Sequence, residues 1–175
     1  MPSPHRLAVR VRYPESDPMG RLHHSVHLVY FEMGRTELLR ERGLSYREME
    51  AQGRHIAIAE VRCRYLEAAQ YDEELIVETW VEEVRGARVE FGNRLVREDG
   101  GGGGGAGGRT VLAEARITGA LVGPDGRPMR FTAEEIALLA RASQRPVLRS
   151  SPATEGGSAA SQSSSGPSST NGAAP

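Results

Sequence analysis

The sequence predicts an α+β domain in which an antiparallel sheet lies against one long helix. Three observations predict it. Residues 26–42 form one extended segment whose first half is apolar almost all round, as in a helix enclosed by a sheet. Five other stretches alternate apolar and polar residues with the two-residue period of a strand. Short turns join the later stretches, so the sheet is mostly antiparallel with the helix on one face.

Leu7, Val9 and Val11 alternate with Ala8, Arg10 and Arg12, which gives a strand with one buried face. Pro14 and Pro18 bracket the next loop and forbid helix there. Ser25 fits as N-cap of the long helix. Leu28, Phe31, Leu38 and Leu39 form its stripe, with Val29 and Met33 beside it. Gly34 in mid-helix costs about 1 kcal/mol against Ala, so a close approach to another backbone is expected there. Glu32 and Arg35 stand at i,i+3 and are expected to pair. Gly43 is a natural stop after Arg40 and Arg42. About 17 helical residues at 1.5 Å each reach roughly 25 Å, enough to cross a sheet.

Residues 45–53 suit a short helix or a loop. Ala57, Ala59, Val61, Cys63 and Tyr65 are expected on one face of the next strand. Leu75, Val77, Thr79 and Val81 share a face of the third strand. Ala87, Val89, Phe91, Asn93 and Leu95 follow after a turn at Arg85-Gly86. Val111, Ala113, Ala115, Ile117, Gly119 and Leu121 mark the last strand, and Pro124-Asp125-Gly126 is a turn. Thr132 and Glu135 form a capping box that opens a terminal helix to about Ala142.

These elements fill one domain, residues 1–143, of a 175-residue chain. Gly100–Gly108 is almost all glycine. A phosphate-cradling loop would need Gly-Lys-Ser/Thr opening a helix, whereas Gly108-Arg109-Thr110 opens a strand, so a hairpin loop is expected. Residues 144–175 are mainly Ser, Gly, Ala and Pro and are expected to be a disordered tail. The net charge of −1 argues against a nucleic-acid binder that relies on broad electrostatics. Every basic residue is Arg, so a phosphate would be held by guanidinium groups, helix ends or backbone. The single cysteine, Cys63, excludes an intrachain disulfide and points to a reducing, cytoplasmic setting. No secretory h-region and no run of about 18 apolar residues occurs, so no membrane span is expected.

The chemistry concentrates in residues 13–24. Asp17 stands in the Pro-bracketed loop directly before the long helix. The free N–H groups of a helix start attract negative charge and polarise a carbonyl placed there. A nearby carboxylate could then attack that carbonyl or activate a water. The plainer reading of Asp17 is an Asx turn. Gly20 is a turn glycine that lets a ligand approach the backbone. Asp17, His23, His24 and His27 can also be read as a metal cluster, but H-E-x-x-H is absent and His23 precedes the helix, so no metal is expected. There is no G-x-S-x-G elbow, and Cys63 sits inside an alternating strand as a small buried hydrophobe.

The run Tyr13-x-Glu15-Ser16-Asp17-Pro18-Met19-Gly20-x-x-His23-His24, followed by Tyr30-Phe31-Glu32-x-x-Arg35-Thr36-Glu37-x-Leu39-Arg40-x-x-Gly43, resembles the 4-hydroxybenzoyl-CoA thioesterase family, especially its YbgC-like acyl-CoA thioester hydrolases. A second block, Tyr65-x-x-x-Ala69-x-Tyr71-Asp72-Glu73-x-Leu75, resembles that family's Y-x-x-x-A-x-Y-D-D-x-L segment, and the likeness spans roughly Leu7 to Leu139. The resemblance implies a hotdog fold, a sheet wrapped round a central helix. It also implies a homodimer or homotetramer with active sites at subunit interfaces. It assigns Asp17 as nucleophile or general base, the His24 side chain to positioning the thioester, and the backbone N–H near His24 to the oxyanion. Gly20, His23 and His27 would line the acyl side, although His23 and His27 replace residues that are often aromatic in relatives. Arg85 and Arg88 would meet the phosphates of coenzyme A, which is part of the substrate, so no separate cofactor is implied.

Two other functions share the fold. A hydratase or dehydratase acting on enoyl or hydroxyacyl thioesters would use a different Asp/His constellation, which the sequence lacks. A non-catalytic acyl-thioester-binding or scaffolding module would not need a carboxylate at the helix mouth.

Overall fold

The computed structural model describes residues 3–98 and 108–141. Most of the glycine-rich run and the whole of residues 144–175 lie outside them. Five strands form one antiparallel sheet: β1 (His5–Arg10), β2 (His55–Tyr65), β3 (Glu74–Arg85), β4 (Arg88–Glu98) and β5 (Arg109–Val122), in the spatial order β1-β3-β4-β5-β2. Helix α1 (His24–Glu41) lies across β1, β3 and β4 on one face. A short α2 (Tyr46–Ala51) leads into β2, and α3 (Ala133–Ala140) ends the described chain. This is the hotdog arrangement of α+β folds expected above.

Both ends of α1 explain its length. His23, not Ser25, is the N-cap: its ring nitrogen accepts the Ser25 N–H at 3.3 Å and lies 2.8 Å from the Ser25 hydroxyl. An imidazole acceptor fills the role that the sequence suggested for serine, and the helix begins two residues earlier than expected. At the far end Gly43 has φ +81°, and Leu44 N–H reaches the Leu39 carbonyl at 2.9 Å while Gly43 N–H reaches Arg40 at 3.0 Å. These two bonds make a Schellman stop, sealed by burial of Leu39 and Leu44.

The first half of α1 packs Tyr30 and Phe31 into a core with Val9, Val11, Leu75, Val77, Leu95 and Ile117. The second half packs Leu38 and Leu39 with Val81, Val89, Phe91, Leu121 and Leu139. Each such fully buried side chain contributes about 1.5–3 kcal/mol. The close approach at Gly34 is to side chains of β3, not to backbone: a Cβ there would fall 2.5 Å from Thr79 Oγ1 and 2.8 Å from Val77 Cγ1. Arg35 feels the charge of Glu32 but forms no ion pair with it within 4 Å. It is nine-tenths buried over Phe91, 6.0 Å from the ring centroid, and its Nη1 has no acceptor among the described residues.

The register of β3 against β4 follows the alternation as far as Val81, where a bulge at Glu82 shifts it. β2 departs from the alternation at a bulge: Ile58 faces Gly119 and Glu60 faces Thr118, which leaves Ala59 without an opposite residue. Ile56 and Ile58 therefore share the inner face with Val61, Cys63 and Tyr65, and Ala57 and Ala59 do not. A further irregularity, between β4 and β5, places Leu112, not Val111, in the core. On the outer face Trp80 lies across Gly92, where a Cβ would meet the indole at 2.2 Å, and the Arg94 guanidinium sits 5.5 Å from the Trp80 ring. Thr132 and Glu135 form the expected capping box of α3. No helix among the described residues is long and apolar enough to cross a membrane.

Candidate active site

The chain leaves β1, makes a short 3-10 turn at Tyr13–Glu15, and loops through Asp17 to the start of α1. A bridge between Ser16 and Leu22 narrows the loop, and Glu15 C=O accepts His23 N–H at 2.8 Å. Asp17 does form the Asx-type turn: its Oδ1 accepts Met19 N–H at 2.9 Å and Arg21 N–H at 3.1 Å. Gly20 has φ +72°, the left-handed conformation this turn requires.

A cavity of about 310 Å³ opens between this loop and the helix start, lined among others by Asp17, Met19, His24, His27, Tyr65 and Leu66. Three of the expected residues, Asp17, His24 and His27, therefore share one space. As the first residue of α1, His24 has an N–H that no intrahelical carbonyl can take. No other acceptor takes it among the described residues.

His27 is buried, and its Nδ1–H points to the His23 carbonyl at 3.3 Å. Burial pushes its pKa down, against the backbone carbonyls of His23 and His24, which favour the protonated ring. Tyr65 stands edge-on to His27 with centroids 5.0 Å apart, and its hydroxyl donates to the His24 carbonyl at 3.0 Å.

Gly20 and His23, expected on the acyl side, do not line this cavity. Gly20 is spent on the turn and His23 on the helix cap. Arg85 and Arg88 sit at the β3–β4 hairpin, level with Ala120 and Ala57. Tyr65 is eight residues along β2 from Ala57, roughly 26 Å at strand spacing, so within one chain the pair lies at the opposite end of the sheet. Arg88 donates to Glu90 at 3.0 Å and to Thr118 at 3.3 Å. The sequence reading passed over two residues that shape the site, Glu15 and Tyr65. Both stand in the quoted family blocks, but local spacing gives no sign that Tyr65 would reach the helix start 41 positions away.

A larger cavity, about 550 Å³, lies over Trp80 and Gly92 and is rimmed by Arg62, Arg64 and Arg116. It gathers neither histidine nor Asp17. No group of three or more His, Cys, Asp or Glu side chains placed to hold a metal ion occurs among the described residues.

Residues 19–103 match the family model described as the thioesterase superfamily. YneP of Bacillus subtilis, named provisionally as an acyl-CoA thioesterase, is 33% identical over 92 residues, covering 53% of this chain and 67% of that protein. The acyl-CoA thioesterase YbgC of Haemophilus influenzae is 38% identical over 90 residues, 51% of this chain and 66% of its own length. The crystal structure of the Thermus thermophilus protein TT1821 superposes with a TM-score of 0.69 at 27% identity, covering 79% of this chain and 98% of that one.

Proposed function

Because this chain belongs to the thioesterase superfamily, we propose that it hydrolyses acyl-CoA thioesters in the cavity between the Asp17 loop and the start of α1. One observation carries the reading. A carboxylate, on Asp17, and an uncommitted helix-start N–H, on His24, belong to residues that line the same cavity.

With the thioester carbonyl at the His24 N–H, negative charge developing on its oxygen is hydrogen-bonded as the carbon becomes tetrahedral. Asp17 drives that step in one of two ways. Its carboxylate adds to the carbon, and water then cleaves the resulting anhydride. Alternatively it takes a proton from the water that adds. In both, the C–S bond breaks, the sulfur leaves as the thiol of coenzyme A, and the acyl group leaves as the free acid. The two N–H groups on Oδ1 fix the orientation of the carboxylate, which leaves Oδ2 for the reaction. Neither route needs a metal or a cofactor beyond the coenzyme A part of the substrate.

The working unit in this reading is a homodimer, alone or paired into a tetramer. β2 is an edge strand, and Ile58, Val61 and Tyr65 stand exposed along it. Antiparallel pairing of two β2 edges about a two-fold axis sets the Ile58 end of one copy beside the Tyr65 end of the other. The Arg85–Arg88 hairpin of the second copy is thereby carried towards the Asp17 end of the first, which suits these arginines to the phosphates of coenzyme A. A cytoplasmic setting belongs to the same proposal, since a lone cysteine suits a reducing compartment.

The test is thiol release from a panel of acyl-CoAs by wild type and Asp17→Asn. Asn retains the acceptor for Met19 and Arg21 but neither adds to carbon nor takes a proton. A loss of at least about 100-fold is expected. Full activity in the variant would remove Asp17 from the mechanism. A wild type that binds these thioesters and cleaves none would make the chain a binding module.

A further inference from the structure

We infer that Glu15 is a positioning residue for the Asp17 site, holding the loop and the helix start in one geometry. The inference rests on the reading of that site given above. Glu15 is only 6% exposed, yet it carries a carboxylate, bonded to Tyr30 of the first core. Among the described residues, its side-chain hydrogen bonds go only to Arg12 and Tyr30, which flank the loop. Oε2 accepts the Arg12 N–H at 2.7 Å and the Tyr30 hydroxyl at 2.6 Å. Oε1 accepts the Arg12 guanidinium, from Nε at 3.0 Å and from Nη2 at 2.6 Å. Its own backbone carbonyl takes the N–H of His23, the N-cap of α1.

One residue thus ties three pieces together: the chain leaving β1, the first residue before α1, and the second turn of α1. The Asp17 loop is the excursion closed off between Glu15 and His23. The distance from the Asp17 carboxylate to the His24 N–H is set across this closure. Moving a catalytic group by about 1 Å can cost on the order of 100-fold in rate.

The charge matters as well as the shape. Burial alone would push the Glu15 carboxyl up. The hydrogen bonds from Arg12 and Tyr30 outweigh it and hold the group below the usual carboxylate range. A neutral amide in its place keeps the volume, gives up the charge-assisted bonds, and presents an N–H₂ group to donors on at least one side.

The fold supplies its own control. Glu135 is buried to the same degree, 7% exposed, and is held by the Arg54 guanidinium at 2.5 and 2.9 Å and by the Thr132 N–H at 2.7 Å. It serves α3 and touches nothing in the cavity. A purely structural role for Glu15 makes the two carboxylates equivalent; a positioning role separates them.

The experiment compares Glu15→Gln, Tyr30→Phe, their double variant and Glu135→Gln with wild type. It reads kcat and KM on the acyl-CoA that wild type cleaves best, and Tm. Glu15→Gln is expected to lower kcat about tenfold or more with KM within about twofold. Tyr30→Phe should lower kcat about threefold, and the double variant should fall short of the product of the two, because both act through one hydrogen bond. Glu135→Gln should lower Tm without that loss of kcat.

A folded Glu15→Gln enzyme with wild-type kcat overturns the proposal. So does a Glu135→Gln enzyme whose kcat falls equally for an equal loss of Tm. If Glu15→Gln does not fold, Tyr30→Phe decides alone, since its ring keeps the packing. The backbone amide spectrum separates this inference from the thioesterase reading. Even if wild type cleaves no thioester, Tyr30→Phe should shift the Asp17, Met19 and His24 amide signals and leave those of α3 in place. Unmoved signals refute the positioning role in that case too.

Discussion

The hydroxyl of Tyr65, on the edge strand, donates to the carbonyl of His24, the first residue of α1, at 3.0 Å. Strand and helix start are thereby linked across the mouth of the cavity, and the same ring packs edge-on to His27. Tyr65→Phe keeps the ring contact and deletes only the donor. Since Tyr65 is half exposed, unfolding free energy should change by no more than about 1 kcal/mol. Steady-state kinetics should nevertheless show a severalfold loss of kcat, because the His24 peptide that presents the N–H loses its outer support. Unchanged kcat would make the bond incidental.

At Gly34 the bare backbone of α1 rests on the Thr79 and Val77 side chains of β3. Ala there gains about 1 kcal/mol of helix propensity but drives its methyl against Thr79 and Val77, two β-branched residues with no freedom to swing away. Overpacking of this kind costs about 1–3 kcal/mol. Gly34→Ala is expected to melt several degrees below wild type, and Gly34→Val lower still, by thermal denaturation followed by circular dichroism.

His27 should make stability pH-dependent in one direction. Burial lowers its pKa in the folded protein, so between that lowered value and the unfolded value of about 6.5 the unfolded chain binds more protons. Stability then falls as pH falls through this window. Urea unfolding from pH 8 to pH 5 should show this slope in wild type and a shallower one in His27→Asn. An equal slope in both would place the titration elsewhere.

Acid unfolding should report the Arg54–Glu135 pair. Although burial opposes it, the Arg54 hydrogen bonds hold the Glu135 carboxyl below its usual range. The resulting stability is present above the ordinary carboxyl value and is lost as pH falls through the lowered one. Arg54→Ala leaves a buried carboxylate without its partner, a change that typically costs about 3 kcal/mol or more. The variant should be less stable at neutral pH, and its stability should fall less steeply between about pH 5 and pH 3.

Much of this fold is written in short-range pattern. The period-two runs of β3 and β4, the Thr132–Glu135 box and the Gly43 stop are local signals, and the structure realises each. The features that went unread depend on contacts between distant segments. The bulge at Ala59 exists because β5 opposes β2 with one residue fewer, which β2 alone does not reveal. Arg35 turns from Glu32 to Phe91, a residue 56 positions away, so i,i+3 spacing misleads. His23 displaces Ser25 as cap because the loop delivers its ring to the helix start.

In the site, Asp17, His24 and His27 were legible as a group because they are close in sequence. Tyr65 was not, because only the fold brings it there. Glu15 was visible as a motif letter, but its role needed the position of Tyr30 across the loop.

The bulge at Ala59 also bears on what can attach to the free edge of β2. A flat strand from an unrelated chain meets two short runs, residues 55–58 and 60–65, set at an angle to each other, rather than one long template. Runaway stacking of extended chains is therefore checked by a single unpaired alanine, and a well-matched neighbour must carry a kink of its own.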